Sequence, residues 1–324
     1  MPQQTKNASF AYDFEEPVRE LDERIEELRR RAAEEARDFS SEIKDLEQER
    51  DQKLEEIFSD LSAYQRIMLA RHPMRPQALD YADMIFDDFM ELHGDRRFGD
   101  DKAIVTGLAR LNGRRVMVVA QQKGKDVGEK KERNFGMPEP EGYRKALHKM
   151  RLAEKFSIPV VCLIDTPGAA PSVGAEERGQ GMAIAENIFV MAGLRTPLLA
   201  LVVGEGCSGG ALGVGVVDRM GMMENAYFSV ISPEGCAAIL WKDRDKAPEA
   251  ASALKLTAPD MVEQEIADDI VKEPLGGAHR DPETAAQSVQ EFLEESLEEL
   301  EDIAMGELLD RRYKRYRRIG IYDS

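Results

Sequence analysis

Pro159-Val160-Val161-Cys162-Leu163-Ile164-Asp165 and Pro197-Leu198-Leu199-Ala200-Leu201-Val202-Val203 are two apolar runs, each opening into a glycine-rich turn and then a helix-like stretch. Branched apolar residues with no polar alternation read as strands buried on both faces. The repeated order of strand, turn and helix argues for a layered α/β domain. Chemistry is then expected at the turns, Thr166-Pro167-Gly168-Ala169-Ala170-Pro171 and Gly204-Glu205-Gly206-Cys207-Ser208-Gly209-Gly210-Ala211. Adjacent glycines let a ligand oxygen approach main-chain amides unobstructed, and unpaired amides favour negative charge. An oxyanion developing in a transition state fits that description. Close packing of the backbone is the competing reading of the same glycines.

The 324 residues suffice for one large domain with extensions. No stretch approaches the roughly 18 uninterrupted apolar residues of a membrane span, and Met1 to Phe14 lacks the basic start and apolar core of a secretory signal. The expectation is a cytoplasmic protein. Cys162, Cys207 and Cys236 have neither the density of a disulfide scaffold nor metal-ligand spacing. They read as reduced packing residues, with Cys207 a possible exception because of its position. A formal net charge of −18 argues against general nucleic-acid binding. An anionic substrate would need a local basic patch. Lys123, Lys125, Lys130, Lys131 and Arg133 form one candidate, and the arginine-rich run from Arg311 to Arg318 another; solvated surface is the alternative for both.

From Val18 to Leu61 a narrow apolar seam, from Leu21 through Ile25, Leu28, Ala32 and Ala36 onward, runs through a highly charged stretch. Spacings of three and four predict helix, with a break at Asp38, Ser40 and Ser41. The stretch is either a self-folded hairpin or an arm gripping a partner. His72-Pro73-Met74-Arg75-Pro76 ends it, because proline lacks the amide that a helix interior needs. Boundaries follow as a helical arm over 1–72, a main domain over 73–300 and a basic helical tail over 301–324. Within the main domain, helix is expected over Ala78 to Leu92, a hairpin around Asn112-Gly113, and helices over Gly142 to Phe156, Glu176 to Met191, Gly209 to Val217 and Pro282 to Leu309.

Gly206-Cys207-Ser208-Gly209-Gly210 satisfies G-x-S-x-G, the pattern that presents a nucleophilic serine on a strand-to-helix turn. A hydrolase would also need a histidine, and His279 is the sole downstream candidate. Asp165-Thr166-Pro167-Gly168 is similar to a GTPase turn, but no G-x-x-x-x-G-K-[ST] loop accompanies it, which removes the phosphate cradle. No histidine and cysteine cluster has zinc spacing.

Longer motifs are more specific. Glu91-Leu92-His93-Gly94-Asp95-Arg96, Arg133-Asn134-Phe135-Gly136-Met137-Pro138 and Gly174-Ala175-Glu176-Glu177-Arg178-Gly179-Gln180 stand beside the two turns. Ser229-Val230-Ile231-Ser232-Pro233-Glu234-Gly235 and Glu273-Pro274-Leu275-Gly276-Gly277-Ala278-His279-Arg280 follow them. Together, from about Phe14 to Gly320, the chain resembles the alpha subunits of bacterial acetyl-CoA carboxylase carboxyltransferases. The resemblance implies a crotonase-like (ClpP/crotonase) α/β fold of repeated ββα units with an N-terminal helical arm, in a heterotetramer of two alpha and two beta subunits. It implies carboxyl transfer from biotin, carried as carboxybiotin on the biotin carboxyl carrier protein and loaded by biotin carboxylase, to acetyl-CoA. The product is malonyl-CoA for fatty-acid biosynthesis. The beta chain is expected to hold the zinc and the acetyl-CoA side, and this chain no metal. Gly209 and Gly210, followed by Ala211, match the family's pocket for the biotin ureido oxygen; Gly168, Ala169 and Ala170 form the expected second wall. Lys123, Lys125 and Arg133 are candidates to meet CoA phosphates. The chain departs from the family's usual residues at Cys207, Ala170 and Ser172. A carboxyltransferase for a longer acyl-CoA, a stand-alone crotonase-type serine hydrolase and a non-catalytic scaffold remain as alternatives.

Overall fold

The computed structural model describes residues 10–35 and 37–320. Most of the N-terminal stretch read for a signal, and Ala36 of the seam, lie outside the described residues. The chain opens with helices Glu16–Glu35 (α1), Ser40–Phe58 (α2), Ala63–Ala70 (α3) and Ala78–Ile85 (α4). Strands Asp87–Glu91 (β1), Ile104–Leu111 (β2) and Arg114–Gln121 (β3) follow, then Val127–Glu132 (α5), Pro140–Lys155 (α6) and Val160–Thr166 (β4). Next come Val173–Glu177 (α7), Gln180–Gly193 (α8), Leu198–Cys207 (β5), Ser208–Leu212 (α9), Arg219–Met223 (β6) and Tyr227–Ser229 (β7). The chain closes with Pro233–Leu240 (α10), Ala247–Leu254 (α11), Ala258–Glu263 (α12), Asp269–Val271 (β8), Pro282–Glu301 (α13) and Met305–Arg318 (α14).

One sheet in the order β1-β2-β3-β4-β5-β6-β8 organises these elements, with β7 also paired to β5. The first three strands are antiparallel and the pairings from β3 onward are parallel. Every residue of β4 and β5 is buried, as runs without polar alternation require when helices cover both faces. β5 forks, pairing β6 through Leu199 to Val202 and β7 through Glu205 to Cys207. Across β4 and β5 the register shifts so that Thr166 stands opposite Gly206. Both glycine-rich turns therefore leave the same edge of the sheet side by side.

Asn112 and Gly113 turn the β2–β3 hairpin with φ of 47° and 79°, the left-handed pair that a two-residue connection demands. Helix ends differ more from expectation. The helix expected over Ala78 to Leu92 stops at Ile85, and Asp87–Glu91 instead pairs with β2 as an edge strand. Gly179, at φ 82°, divides the stretch expected as one helix into α7 and α8. α9 ends at Leu212 rather than Val217, and the acidic C-terminal helix breaks between α13 and α14.

The seam of the N-terminal hairpin closes on itself. Leu21, Ile25 and Leu28 of α1 pack with Phe39 and Leu46, so this part of the apolar stripe is covered within the chain. Packing also crosses the boundaries expected at 72 and 300. Ile67 and Ala70 of α3 pack with Tyr227, Ala251 and Leu256. Arg312 of α14 is buried, donating to both carboxylate oxygens of Asp218 at 2.8 and 2.6 Å and to the carbonyls of Met191, Leu194 and Thr196. Part of the C-terminal arginine run is thus a structural anchor rather than a solvated patch.

Candidate functional site

Where β4 and β5 end, two backbone turns meet. Ser208 joins β5 to α9 with φ 57°, a left-handed conformation uncommon outside glycine and consistent with a tightly constrained turn. Gly210, two residues on, faces the peptide between Gly168 and Ala169: a Cβ on it would lie 2.6 Å from the Gly168 carbonyl carbon and 2.7 Å from the Ala169 nitrogen. Gly209 faces open space except for Ile184 at 3.4 Å. Both turns expected to form the site are therefore in direct contact.

Their amides are not equally available. The Gly168 amide donates to the Thr166 hydroxyl at 3.1 Å, and the Ala170 amide donates to the Pro138 carbonyl at 3.0 Å. Of the expected second wall, only the Ala169 amide lacks an internal partner among the described residues. The Gln180 side chain donates to the carbonyls of Pro138 and Ala170 at 2.8 and 3.1 Å, holding this turn against the loop before α6. Across the junction, the buried Gln121 side chain donates to the Gly210 carbonyl at 2.8 Å.

Behind the turns lies a partly buried charge network, with Asp165 and Glu205 its buried members, that sequence reading did not anticipate. Lys123 reaches Asp165 at 2.7 Å and Glu205 at 3.2 Å; Arg71 donates to Glu205 at 2.7 Å, to Glu234 at 2.8 Å and to Tyr227 at 3.0 Å. The Tyr227 hydroxyl adds a further bond to Glu205 at 2.7 Å. Burial pushes the Glu205 carboxyl up, but Lys123 and Arg71 more than offset that and hold it at about 2. At Asp165 burial dominates, and its carboxyl is raised despite Lys123. A cavity of about 230 Å³ opens here, lined by residues that include Arg71, His72, Lys123, Lys130, Asp165 and Glu205.

The basic run after β3 is consequently not one patch. Lys123 is half-buried and engaged in the network; Lys125 is exposed and paired with Asp80 at 2.5 Å; Arg133 donates to the Lys102 carbonyl at 2.9 Å. Burial first, then Glu205, raises the Cys207 thiol to about 11, which keeps it protonated and removes it as a nucleophile at neutral pH. No hydrogen bond joins Ser208 to a histidine among the described residues. His279, the histidine that a hydrolase would have needed, bonds Glu15 at 3.1 Å and stacks on His72.

Glu15, His72 and His279 do bring potential ligand atoms within 4.8 Å of one another. The two imidazoles are stacked, however, with centroids 3.9 Å apart and planes inclined by 26°, and His72 Nδ1 accepts from the Met74 amide at 3.1 Å. In-plane lone pairs of stacked rings run nearly side by side instead of converging on one ion. The cluster reads as a clasp: Glu15 and Asp22, the latter paired with Arg280 at 2.6 Å, fasten the N-terminal region to the segment after β8.

A family model described as "Acetyl co-enzyme A carboxylase carboxyltransferase-like" matches residues 11–320. A relative in Methylococcus capsulatus named acetyl-coenzyme A carboxylase carboxyl transferase subunit alpha is 54% identical over 312 residues, which are 96% of this chain and 97% of its own. A relative of the same name in Coxiella burnetii is 53% identical, over 95% of this chain and 98% of its own. Among solved structures, a Pseudomonas malonate decarboxylase hetero-tetramer in complex with coenzyme A is similar with a TM-score of 0.54 at 18% identity, covering 68% of this chain and 91% of that one. Transcarboxylase 12S is similar with a TM-score of 0.53 at 23% identity, over 66% of this chain and 41% of that one. These structural likenesses bear out the crotonase-like fold, and with the long sequence matches they show that the chain belongs to the family of acetyl-CoA carboxylase carboxyltransferase alpha subunits.

Proposed function

We propose that this chain is the alpha half of a carboxyltransferase that moves the carboxyl group of carboxybiotin, carried on a biotin carboxyl carrier protein, to acetyl-CoA. Malonyl-CoA for fatty-acid synthesis is the product. The observation that supports this reading is the contact of the two turns: Gly210 lies against the Gly168–Ala169 peptide, whose Ala169 amide has no internal partner among the described residues, while Gly209 beside it is open but for Ile184. Negative charge grows on the ureido oxygen as the carboxyl group departs, and fixed amide donors stabilise that charge more than the neutral ground state. Gly209, Gly210 and Ala211 are the donors in this reading. Ala169 supplies the facing wall, with Gly168 and Ala170 acting through turn shape because their own amides are engaged.

Acetyl-CoA activation and a zinc module are assigned to a beta partner in an alpha2 beta2 heterotetramer, with biotin carboxylase loading the carrier. Lys125 and Arg133 remain candidates to meet CoA phosphates; Lys123 instead acts within the network behind the turns. No helix among the described residues is long and apolar enough to cross a membrane; a cytoplasmic location is part of the proposal. Purified alone, the chain is expected to make no malonyl-CoA, and co-expression with the beta partner to restore transfer. An assay across acetyl-, propionyl- and butyryl-CoA measures the choice of acceptor. Robust transfer by the lone chain, or preference for a longer acyl-CoA, would refute the corresponding half of the proposal.

A further inference from the structure

Gln121 is the last residue of β3, and its side chain is fully buried. Its Nε2 donates to the Gly210 carbonyl at 2.8 Å, while its Oε1 accepts from the Asp165 amide at 3.3 Å. One side chain thus ties the turn after β5 to the strand that leads into the other turn.

The bond to Gly210 fills a gap in the main chain. α9 is five residues long, and its end is closed by the Gly213 amide donating to Gly209 and the Val214 amide to Ala211. The Gly210 carbonyl, between these two acceptors, would be left with no comparable backbone donor beyond the helix end. Gln121 supplies one, and the buried Tyr143 hydroxyl approaches the same oxygen at 3.4 Å. The Gly210 carbonyl and the Ala211 amide belong to a single planar trans peptide, with C=O and N–H pointing in opposite directions. Fixing the oxygen therefore fixes the direction of the Ala211 N–H and limits rotation of the glycine pair that precedes it. Glycines resist such rotation poorly by themselves.

We propose that Gln121 is a positioning residue for carboxyl transfer: by holding the Gly210 carbonyl and the Asp165 amide together, it sets the orientation of the amide donors at Gly209, Gly210 and Ala211. This rests on the reading of those three amides as oxyanion donors. Gln121 touches no reacting atom in this arrangement. Its effect falls on a stabilisation that matters most in the transition state, so its loss should lower kcat and leave substrate binding nearly unchanged.

The test uses the assembled alpha–beta complex. Gln121→Glu keeps the size and the acceptor while removing the donor to Gly210; Gln121→Leu removes both bonds. Both should lower kcat about tenfold to a hundredfold, with KM for the carboxybiotin donor within about threefold of the parent. Because Gln121 and Tyr143 share one acceptor, Tyr143→Phe should matter more in the Gln121→Leu background than in the parent. Gly209→Val, measured in parallel, tests the donors themselves, since its side chain would project into the open space of the site. Normal kcat in assembled Gln121 variants beside an inactive Gly209→Val complex would overturn the positioning role alone. Normal turnover in Gly209→Val would remove the donors Gln121 is said to orient and overturn both readings. Failure of both Gln121 variants to assemble, or a rise in KM at unchanged kcat, would also overturn it, leaving Gln121 as a residue of folding or binding.

Discussion

Gly210 and Gly168 meet backbone to backbone, with room for no side chain: a Cβ on Gly210 would lie 2.6 Å from the Gly168 carbonyl carbon. Glycine at position 210 is therefore required by packing, and the same packing brings the second turn alongside the proposed donors. Gly210→Ala must part the two turns, because the obstructing atoms are main chain and cannot rotate away. Carboxyl transfer should fall at least about 100-fold, and the melting temperature should fall with it. Gly209→Ala meets only the flexible end of Ile184 at 3.4 Å and should fold normally. Kinetics and thermal melting of the two complexes check the contrast. Near-normal turnover in an assembled Gly210→Ala complex would separate the turns from the chemistry.

Ser208 is expected to be dispensable as a nucleophile. Its φ of 57° places it at a strand-to-helix turn, yet no histidine is hydrogen-bonded to it among the described residues, and His279 is held by Glu15 and His72. Ser208→Ala should keep carboxyl transfer within about tenfold of the parent, since the amides of the turn remain. A fluorophosphonate should not label the parent protein. Stoichiometric labelling, abolished together with turnover in the variant, would restore the hydrolase reading.

Glu205 is the common partner of Lys123, Arg71 and Tyr227. Glu205→Ala leaves two partly buried cations short of a carboxylate, and a loss of about 2–3 kcal/mol in unfolding free energy is expected, below the full penalty for a wholly buried pair because both cations keep some contact with water. Lys123→Met combined with Glu205→Gln should be less damaging than the sum of the single changes, because each removes the partner that the other would strand. Urea titrations of the four proteins measure the coupling, and strict additivity would mean that the network does not act as a unit.

His72 sets an acid limit on stability. Burial first, then the His279 ring, lowers its pKa from 6.5 to about 4, while Glu15 opposes and Arg75 assists the shift. The unfolded chain takes up a proton near pH 6.5 but the folded chain does not. The neutral ring therefore contributes stability above that pH, and the contribution is lost as pH falls from about 6.5 to about 4. Glu205 and Glu273, each held at about 2 in the fold against a usual 4.5, lose their contribution only at lower pH. The melting temperature should already decline between about pH 6.5 and pH 5, and His72→Phe should flatten that part of the profile. A variant as steep as the parent over this range would move the titration to another group.

Periodicity along the chain encodes burial, and burial was legible. Unbroken apolar runs at Val160 to Ile164 and Leu198 to Val203 became the central parallel strands, and Asn112-Gly113 became the hairpin turn. Helix ends were less legible, because they depend on what the chain meets next. Met84 and Ile85 carry the same apolar signal as the residues after them, but pairing with β2 converts Asp87–Glu91 into an edge strand. Among the residues proposed for the site, Gly209 and Gly210 stand out in the sequence through their motif. Gln121 is an ordinary polar residue at a strand end, and nothing local marks it.

By itself, then, the sequence determined which segments are buried, where the two glycine-rich turns lie and to which family the chain is similar, since each of these is written in neighbouring residues. Only the tertiary structure decided that Gly210 rests on Gly168, that Gln121 bonds Gly210 across 89 positions and that Lys123 serves Asp165 and Glu205 instead of solvent. The reason is physical. A side chain's spacing from its neighbours sets the face on which it lies, but its partner is whichever distant group the packed sheet brings within about 3 Å, where a buried charge or amide must be matched.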